Sequence, residues 1–352
     1  MRVVVIGAGI MGCTTALELA ARGVHVVLLE RAVPGAEASS AAAGILGAQA
    51  EAHDPGPFFA RMLRARDGYA MAALRLCDAA PADIGYIQSG VLKLGFNQDD
   101  DDALGALVAW QRKAGAKASH LSRAELLKIE PQASSEATSA AYFEDDAQVE
   151  PVKLLAALIA RVRSTPTIDV RTGTDVAGLV MDRDACRGVQ LADHAPLAAD
   201  AVVLAAGSWS SLVPGVPVAA RAVKPIRGQM IELQEQPPAL RSVLFGQGTY
   251  VVPRGDGRVV CGSTMEDVGF EKAVTAAGLE RVLRGSMQNA PMLAHAMFLR
   301  TWSNFRPYVS GEPLIGKSEI DGLYLATGHF RNGILLAFDT AETVVRAICD
   351  AG

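Results

Sequence analysis

The sequence is poor in cysteine, has no basic excess and contains no long apolar run. Its five cysteines, Cys13, Cys77, Cys186, Cys261 and Cys349, are scattered and odd in number, without CxxC or Cys/His metal spacing. A disulfide framework and a metal centre are therefore not expected, and reduced, buried thiols in a cytoplasmic protein are. Lys and Arg number 33 against 38 Asp and Glu, a formal net charge of −5. That balance argues against nucleic acid or an anionic membrane surface as partner. No apolar stretch reaches the roughly 18 to 20 residues that span a bilayer. The N-terminus is not read as a signal peptide, because cleavage would remove the first strand of the fold. No internal repeat or low-complexity tail is present. With 352 residues, half of them hydrophobic, the chain is long enough for two domains and a sizeable core.

What is present is most informative in the first thirty residues. MRVVVIGAGIMG reads as a buried strand, Val3 to Ile6, running into Gly7, Gly9 and Gly12. TTALELAARG continues as a helix, and HVVLLE is a second strand ending on Glu30. This is the dinucleotide-binding fingerprint in its βαβ setting. Gly7 permits the tight turn, Gly9 lets backbone approach a pyrophosphate, and Gly12 lets the helix pack close. The helix N-terminus offers free N–H groups and the positive end of its dipole to phosphate. Glu30 falls where a carboxylate accepts hydrogen bonds from a ribose diol. The plainer reading is a βαβ unit whose glycines only shape turns. The motif alone leaves NAD and FAD both open.

Residues 33–56 form a long connection of small side chains, suited to backbone lying against a flat ligand. A helical period runs from Pro57 to about Ala79, and SGVLKLGF alternates as a strand. Residues 99–115 open with four aspartates at a helix start, read as a solvated end and not a metal site. Ser122 and Glu125 form a capping box for a short helix stopped before Pro131. Pro151 opens another helix. ADAVVLAAGSW reads as a buried strand beside the first one. Residues 224–234 and 249–264 read as strands, the latter a hairpin turning at Gly255-Asp256-Gly257, and a helical pattern covers 275–298. The chain closes with strand, glycine-rich turn and helix. The fold class expected is α/β, with a Rossmann-like domain built from discontinuous segments. An antiparallel-sheet α+β domain is inserted between them.

VVVIGAGIMG…LLE, SSAAAGILGAQAE, DDAQVEP, AAGSW, YVVPR…GSTMEDVGF, FRP and GHFRNGILLA occur in this order. Together they resemble the glycine oxidases (ThiO-type) of the D-amino acid oxidase/sarcosine oxidase superfamily, over almost the whole chain. The resemblance implies an FAD-binding domain of residues 1–48, 149–218 and 304–352, and a substrate domain of 49–148 and 219–303. It implies non-covalent FAD and oxidative deamination of small amines or amino acids. Hydride passes from the substrate Cα to the flavin, and dioxygen is reduced to hydrogen peroxide. The imine product can feed thiazole synthesis for thiamine.

By the same resemblance, Arg306 in NFRP is the carboxylate anchor and Tyr250 in TYVVP its hydroxyl partner. Arg331 in GHFRNG is a second basic residue at the site mouth, and Met265 lines the small pocket. An arginine suits the task because its planar fork gives two parallel charge-assisted hydrogen bonds. The cofactor set it implies begins with Gly7, Gly9, Ile10, Met11 and Gly12, with Glu30 and Arg31 at the second strand. Ser39, Ser40, Ala43, Gly44 and Ile45 approach flavin and pyrophosphate, and Val176 pairs its backbone with adenine. Ala206, Gly207 and Trp209 follow the AAGSW strand. Gly328, His329, Asn332, Gly333 and Ile334 surround the flavin ring, with Arg306 and Arg331 beside it. His329 reads as a turn residue and not a base. LLAFDT, with Phe338 and Asp339, departs from the family pattern, as do RPYVSGEP, with Tyr308, and Phe245 where relatives carry a tyrosine.

Three other readings compete with the oxidase. A quinone-linked D-amino acid dehydrogenase shares the fold, a flavin-binding module lacks turnover, and an NAD-linked dehydrogenase would be colourless. Glycine, sarcosine and small D-amino acids stay together as substrates, and a homo-oligomer is compatible with everything above.

Overall fold

The computed structural model describes residues 1–78 and 83–350. Ala79, where the first long helical pattern is expected to end, lies outside them. The expected strand–helix–strand forms at Arg2–Ile6, Ile10–Ala21 and His25–Glu30. Its strands belong to a six-stranded sheet ordered Leu314–Lys317, Leu323–Thr327, Ala201–Leu204, Arg2–Ile6, His25–Glu30, Ile168–Thr172. All pairs are parallel except the first, an antiparallel edge. Both faces of this sheet are covered, which is why VVVI and VVLL are continuous apolar runs. Val3, Val5, Val26 and Leu28 point into a helical core with Leu17, Leu158 and Leu336. Val4, Ile6, Val27 and Leu29 point the other way, against Val189 and Leu191 of a three-stranded sheet.

The second sheet has eight strands in the order Met297–Tyr308, Lys224–Gln234, Arg258–Gly262, Thr249–Pro253, Val243–Gly246, Val91–Gly95, Ser139–Phe143, Ser119–Ser122. It is antiparallel apart from the pair Val243–Gly246 with Val91–Gly95. The Ser122/Glu125 capping box forms as read.

Several boundaries differ from those read in the sequence. The helical pattern of 57–79 is two helices, Pro57–Asp67 and Tyr69–Cys77, packed on the first core through Phe59, Met62 and Tyr69. The helix expected over 275–298 ends at Asn289, because Pro291 cannot continue it. Met297 and Phe298 instead begin the long edge strand Met297–Tyr308, paired along its length with Lys224–Gln234. The expected domain boundary at residue 304 falls inside that strand. Phe338 sits edge-on to Tyr69 at 5.0 Å, and Asp339 pairs with Arg61. The LLAFDT departure thus packs the C-terminal helix against the two helices of 57–77.

Candidate active site

A long cavity runs from the carboxyl ends of the parallel strands to the underside of the eight-stranded sheet. At its first end lie Gly7, Gly9, Ile10, Met11, Glu30 and Arg31, with Thr174 to Val176 beyond. Gly7 has φ +100°, and a Cβ there would meet the Ala205 carbonyl oxygen at 2.6 Å. Gly12 does not line the cavity; a Cβ on it would lie 1.8 Å from the Gly7 oxygen, so it serves helix-on-strand packing. The Ser39 hydroxyl accepts the Ile10 backbone N–H at 3.0 Å, satisfying one of the orphan donors at the helix start. The Glu30 carboxylate accepts the N–H groups of Ala8 and Ala32, each at 3.0 Å. Those bonds orient it and leave lone pairs free for a diol. The Arg31 guanidinium lies over the Trp209 ring, 4.2 Å from its centroid.

Ala43, Gly44 and Ile45 form one wall, and Ala206, Gly207 and Trp209 face it. Ser40 is a correction. It sits about 100° around the short helix from Ser39, does not line the cavity, and has its hydroxyl engaged by the Glu37 carbonyl at 3.2 Å. The wall is held from behind by Arg254, which sequence reasoning passed over although it ends the quoted YVVPR. Its guanidinium donates to the Ala43 carbonyl at 2.6 Å, the Val149 carbonyl at 3.0 Å and Gln148 Oε1 at 2.7 Å. Burial pushes its pKa down to about 10. A buried arginine that gathers backbone carbonyls leaves no local signal in the sequence.

The second glycine-rich turn brings His329, Arg331, Gly333 and Ile334 to the cavity. Gly328 and Asn332 do not line it. Gly328 has φ +78° and packs so closely that a Cβ would meet Val309 at 2.7 Å. The Asn332 N–H already donates to the His329 carbonyl at 2.8 Å, so it is not free for a flavin oxygen. His329 is buried, with Nε2 2.9 Å from the Thr340 hydroxyl. Burial, aided by the charge of Arg61, pushes its pKa down to about 3. The ring is neutral at physiological pH and carries no acid–base cycle.

That depressed pKa has a sign in stability. The unfolded chain takes up a proton near the ordinary histidine pKa of about 6.5, while the folded ring stays neutral until about 3. The stability this provides is complete above the unfolded pKa and is lost as pH falls towards the folded one. Between pH 7 and 5 the loss is about 2 kcal/mol. His329→Gln should remove this component, so that urea midpoints at the two pH values differ less than in the wild type. Equal acid sensitivity of the two proteins would show that the folded ring titrates normally.

Arg306, Tyr250 and Arg331 meet at the far end, from two strands of the second sheet and from the turn before the C-terminal helix. Arg306 donates to the Ser263 hydroxyl and to the Thr264 carbonyl. It has room to do so because residue 228 is glycine; a Cβ there would lie 2.3 Å from Nη1. A glycine inside a strand pattern signals such an approach, and Gly228 in KPIRGQM is a signal that sequence reasoning did not use. Tyr250 is buried against Phe245 at 5.7 Å, and its hydroxyl reaches only Met230 Sδ at 3.7 Å. Arg331 donates to Glu51 at 2.6 Å, and Glu51 also lines the cavity. Met265 is the second correction. It is 57% exposed and does not line the cavity. The neighbours on either side fix the inward face: Thr264 is buried and Glu266 pairs with Arg227. In extended chain the residue between them points outward.

Two glycine-rich turns, each opening a helix whose first residues enter the cavity, suit a ligand with phosphates at one end and a flat ring at the other. The donor set fits FAD. Fold and site together define an FAD-dependent oxidoreductase acting on a small molecule. Residues 2–347 match the family described as DAO, FAD dependent oxidoreductase. The glycine oxidase of Geobacillus kaustophilus is 31% identical over 347 residues, 95% of this chain and 89% of the relative. A crystal structure of glycine oxidase from that organism superposes with a TM-score of 0.90 at 30% identity, covering 99% of this chain and 94% of the other. The bifunctional protein ThiO/ThiG of Trichormus variabilis is 32% identical over 349 residues; the chain spans 52% of that protein. The chain belongs to the DAO family of FAD-dependent oxidoreductases, and its cofactor is FAD. Among the described residues no helix is long and apolar enough to cross a membrane.

Proposed function

We propose that the protein oxidises glycine and similarly small amino acids, with dioxygen as acceptor. The observation that carries this reading is the convergence of Arg306, Tyr250 and Arg331 on one end of the cofactor cavity. The division of labour largely follows the two sheets: the turns of the parallel sheet hold the cofactor and bring in Arg331, and the second sheet carries Arg306 and Tyr250. Arg306, steadied by Ser263 and Thr264, presents its remaining N–H donors to the substrate carboxylate. The Tyr250 hydroxyl adds a further donor. Fixing the carboxylate fixes the direction of the Cα–H bond, and orientation of this kind supplies much of a rate enhancement. Held by the glycine-rich turns and Glu30, FAD would supply the hydride acceptor and the route of electrons to dioxygen. His329, buried on Thr340 with its pKa pushed down to about 3, is too weak a base to take a proton from an ammonium, so this reading has the substrate react as the free amine. The imine product suits a role in supplying thiazole synthesis for thiamine, as relatives named ThiO/ThiG suggest. Cys13, Cys186, Cys261 and Cys349 are free thiols, which supports a reducing compartment such as the cytoplasm.

Anaerobic mixing of the holoenzyme with glycine, sarcosine and D-alanine tests this. At least one should bleach the flavin, and in air each turnover should release one hydrogen peroxide. Failure of every amino acid to bleach it would remove the oxidase reading. Bleaching without peroxide in air would point to a quinone as acceptor.

A further inference from the structure

Charge at the substrate end of the cavity is unevenly distributed. Among the described residues Arg306 makes no ion pair; its partners are a hydroxyl and a carbonyl. Arg331 is paired with Glu51 at 2.6 Å, and both side chains are largely shielded, at 29% and 14% exposure. Burial works against the Arg331 charge, yet Glu51 outweighs it and holds the guanidinium above its usual pKa. Lys93, half-buried on the Val91–Gly95 strand, is within electrostatic reach of both; burial holds its ammonium below the usual value.

Glu51 does not stand there by accident of a loose loop. It ends the turn of residues 48–51, and its N–H donates to the Gly47 carbonyl at 3.0 Å. The turn itself is pinned by the buried Asp146, which accepts the N–H groups of Gln49 and Ala50 and the Arg66 guanidinium. Three elements thus position one carboxylate on one arginine at the edge of the substrate pocket.

We propose that Glu51 sets how many carboxylates the substrate carries. By occupying Arg331 it leaves one unpaired guanidinium at the substrate end among the described residues, that of Arg306, and so admits amino acids with one carboxylate and rejects amines with two. This rests on Arg306 being the carboxylate anchor. A second substrate carboxylate would have to displace Glu51 or lie beside it, and two like charges at that distance repel strongly in a shielded site. Without Glu51, Arg331 would face the cavity uncompensated, with the Lys93 charge in electrostatic reach, and attract a second anion.

The probes are glycine and its N-carboxymethyl derivative, iminodiacetate, read by anaerobic flavin bleaching. Acetate and malonate serve as unreactive counterparts, read by the shift they cause in the flavin spectrum. In Glu51→Gln the ratio of malonate to acetate affinity, and of iminodiacetate to glycine half-saturation, should move towards the dicarboxylate by about tenfold or more, the worth of one charged hydrogen bond. Arg331→Met, which leaves Glu51 unpaired, should move both ratios the opposite way. A merely structural pair would move the two variants in the same direction, and that result overturns the proposal, as does an unchanged ratio in both. If Glu51→Gln fails to hold FAD, the sign of the Arg331→Met shift decides alone. Wild-type bleaching by glycine is scored separately, so failure of the oxidase reading is distinguishable from failure of this one.

Discussion

Arg306→Ala should raise the substrate constant about 30- to 1000-fold while the protein stays yellow. The range corresponds to about 2 to 4 kcal/mol for a charge-assisted bidentate contact in a shielded pocket. The structure explains why FAD content should survive. Arg306 bonds only to Ser263 and Thr264 on the substrate side, and the elements that cradle the phosphates lie at the other end of the cavity. Arg306→Lys sharpens the test. It restores the charge without the planar fork, and lysine cannot reach both Ser263 and a carboxylate in the same way. Recovery of less than about tenfold by Lys would show that geometry matters more than charge. Unchanged kinetics in Arg306→Ala would remove the residue from the site. A colourless Arg306→Ala protein would instead assign it to the cofactor.

The contrast between what was legible and what was not follows from the range of each interaction. The fingerprint was legible because much of its physics is local: strand, turn and helix are contiguous, Gly7 takes the positive φ of the turn, and Gly12 packs on the Gly7 oxygen five residues back. Arg306, Tyr250 and Arg331 were legible only through family resemblance. Their meeting depends on the pairing of Met297–Tyr308 with Lys224–Gln234, which joins chain segments about eighty residues apart. The same non-local pairing explains why a boundary drawn at 304 cuts a strand. Met265 and Ser40 failed for a smaller reason: each lies one residue from an inward-facing neighbour, and motif matching does not resolve which side of the backbone a side chain takes. Arg254 and Glu51 were quoted within motifs yet assigned nothing. Their partners, the Ala43 carbonyl and Arg331, are about two hundred or more residues away in sequence.

The glycines of the fingerprint offer the other large expected effect, because the structure separates two roles that sequence alone merges. Gly12→Ala would place a Cβ 1.8 Å from the Gly7 carbonyl oxygen. Both partners are backbone, so no side chain can yield, and the helix must move off the strand by more than an ångström. The helix is buried on almost every side, between the sheet and the C-terminal helix, so the shift disrupts a core whose packing tolerates little. A loss of about 3 kcal/mol or more is expected, with FAD binding lost as well. Gly9→Ala differs. Gly9 has φ −74°, ordinary for any residue, and its added Cβ would meet only the Ser39 hydroxyl at 3.2 Å. That hydroxyl need shift by only a few tenths of an ångström, at most weakening its bond from the Ile10 N–H, so the folded protein should keep its stability to within about 1 kcal/mol. Gly9 nevertheless faces the cavity where the pyrophosphate is expected, and a methyl group there should weaken FAD binding at least tenfold. Urea midpoints of the FAD-stripped variants and FAD titrations of the same preparations measure the two quantities apart. Equal loss of stability in both variants would mean that Gly9 is a packing residue too, and that the approach to phosphate is not what this glycine serves.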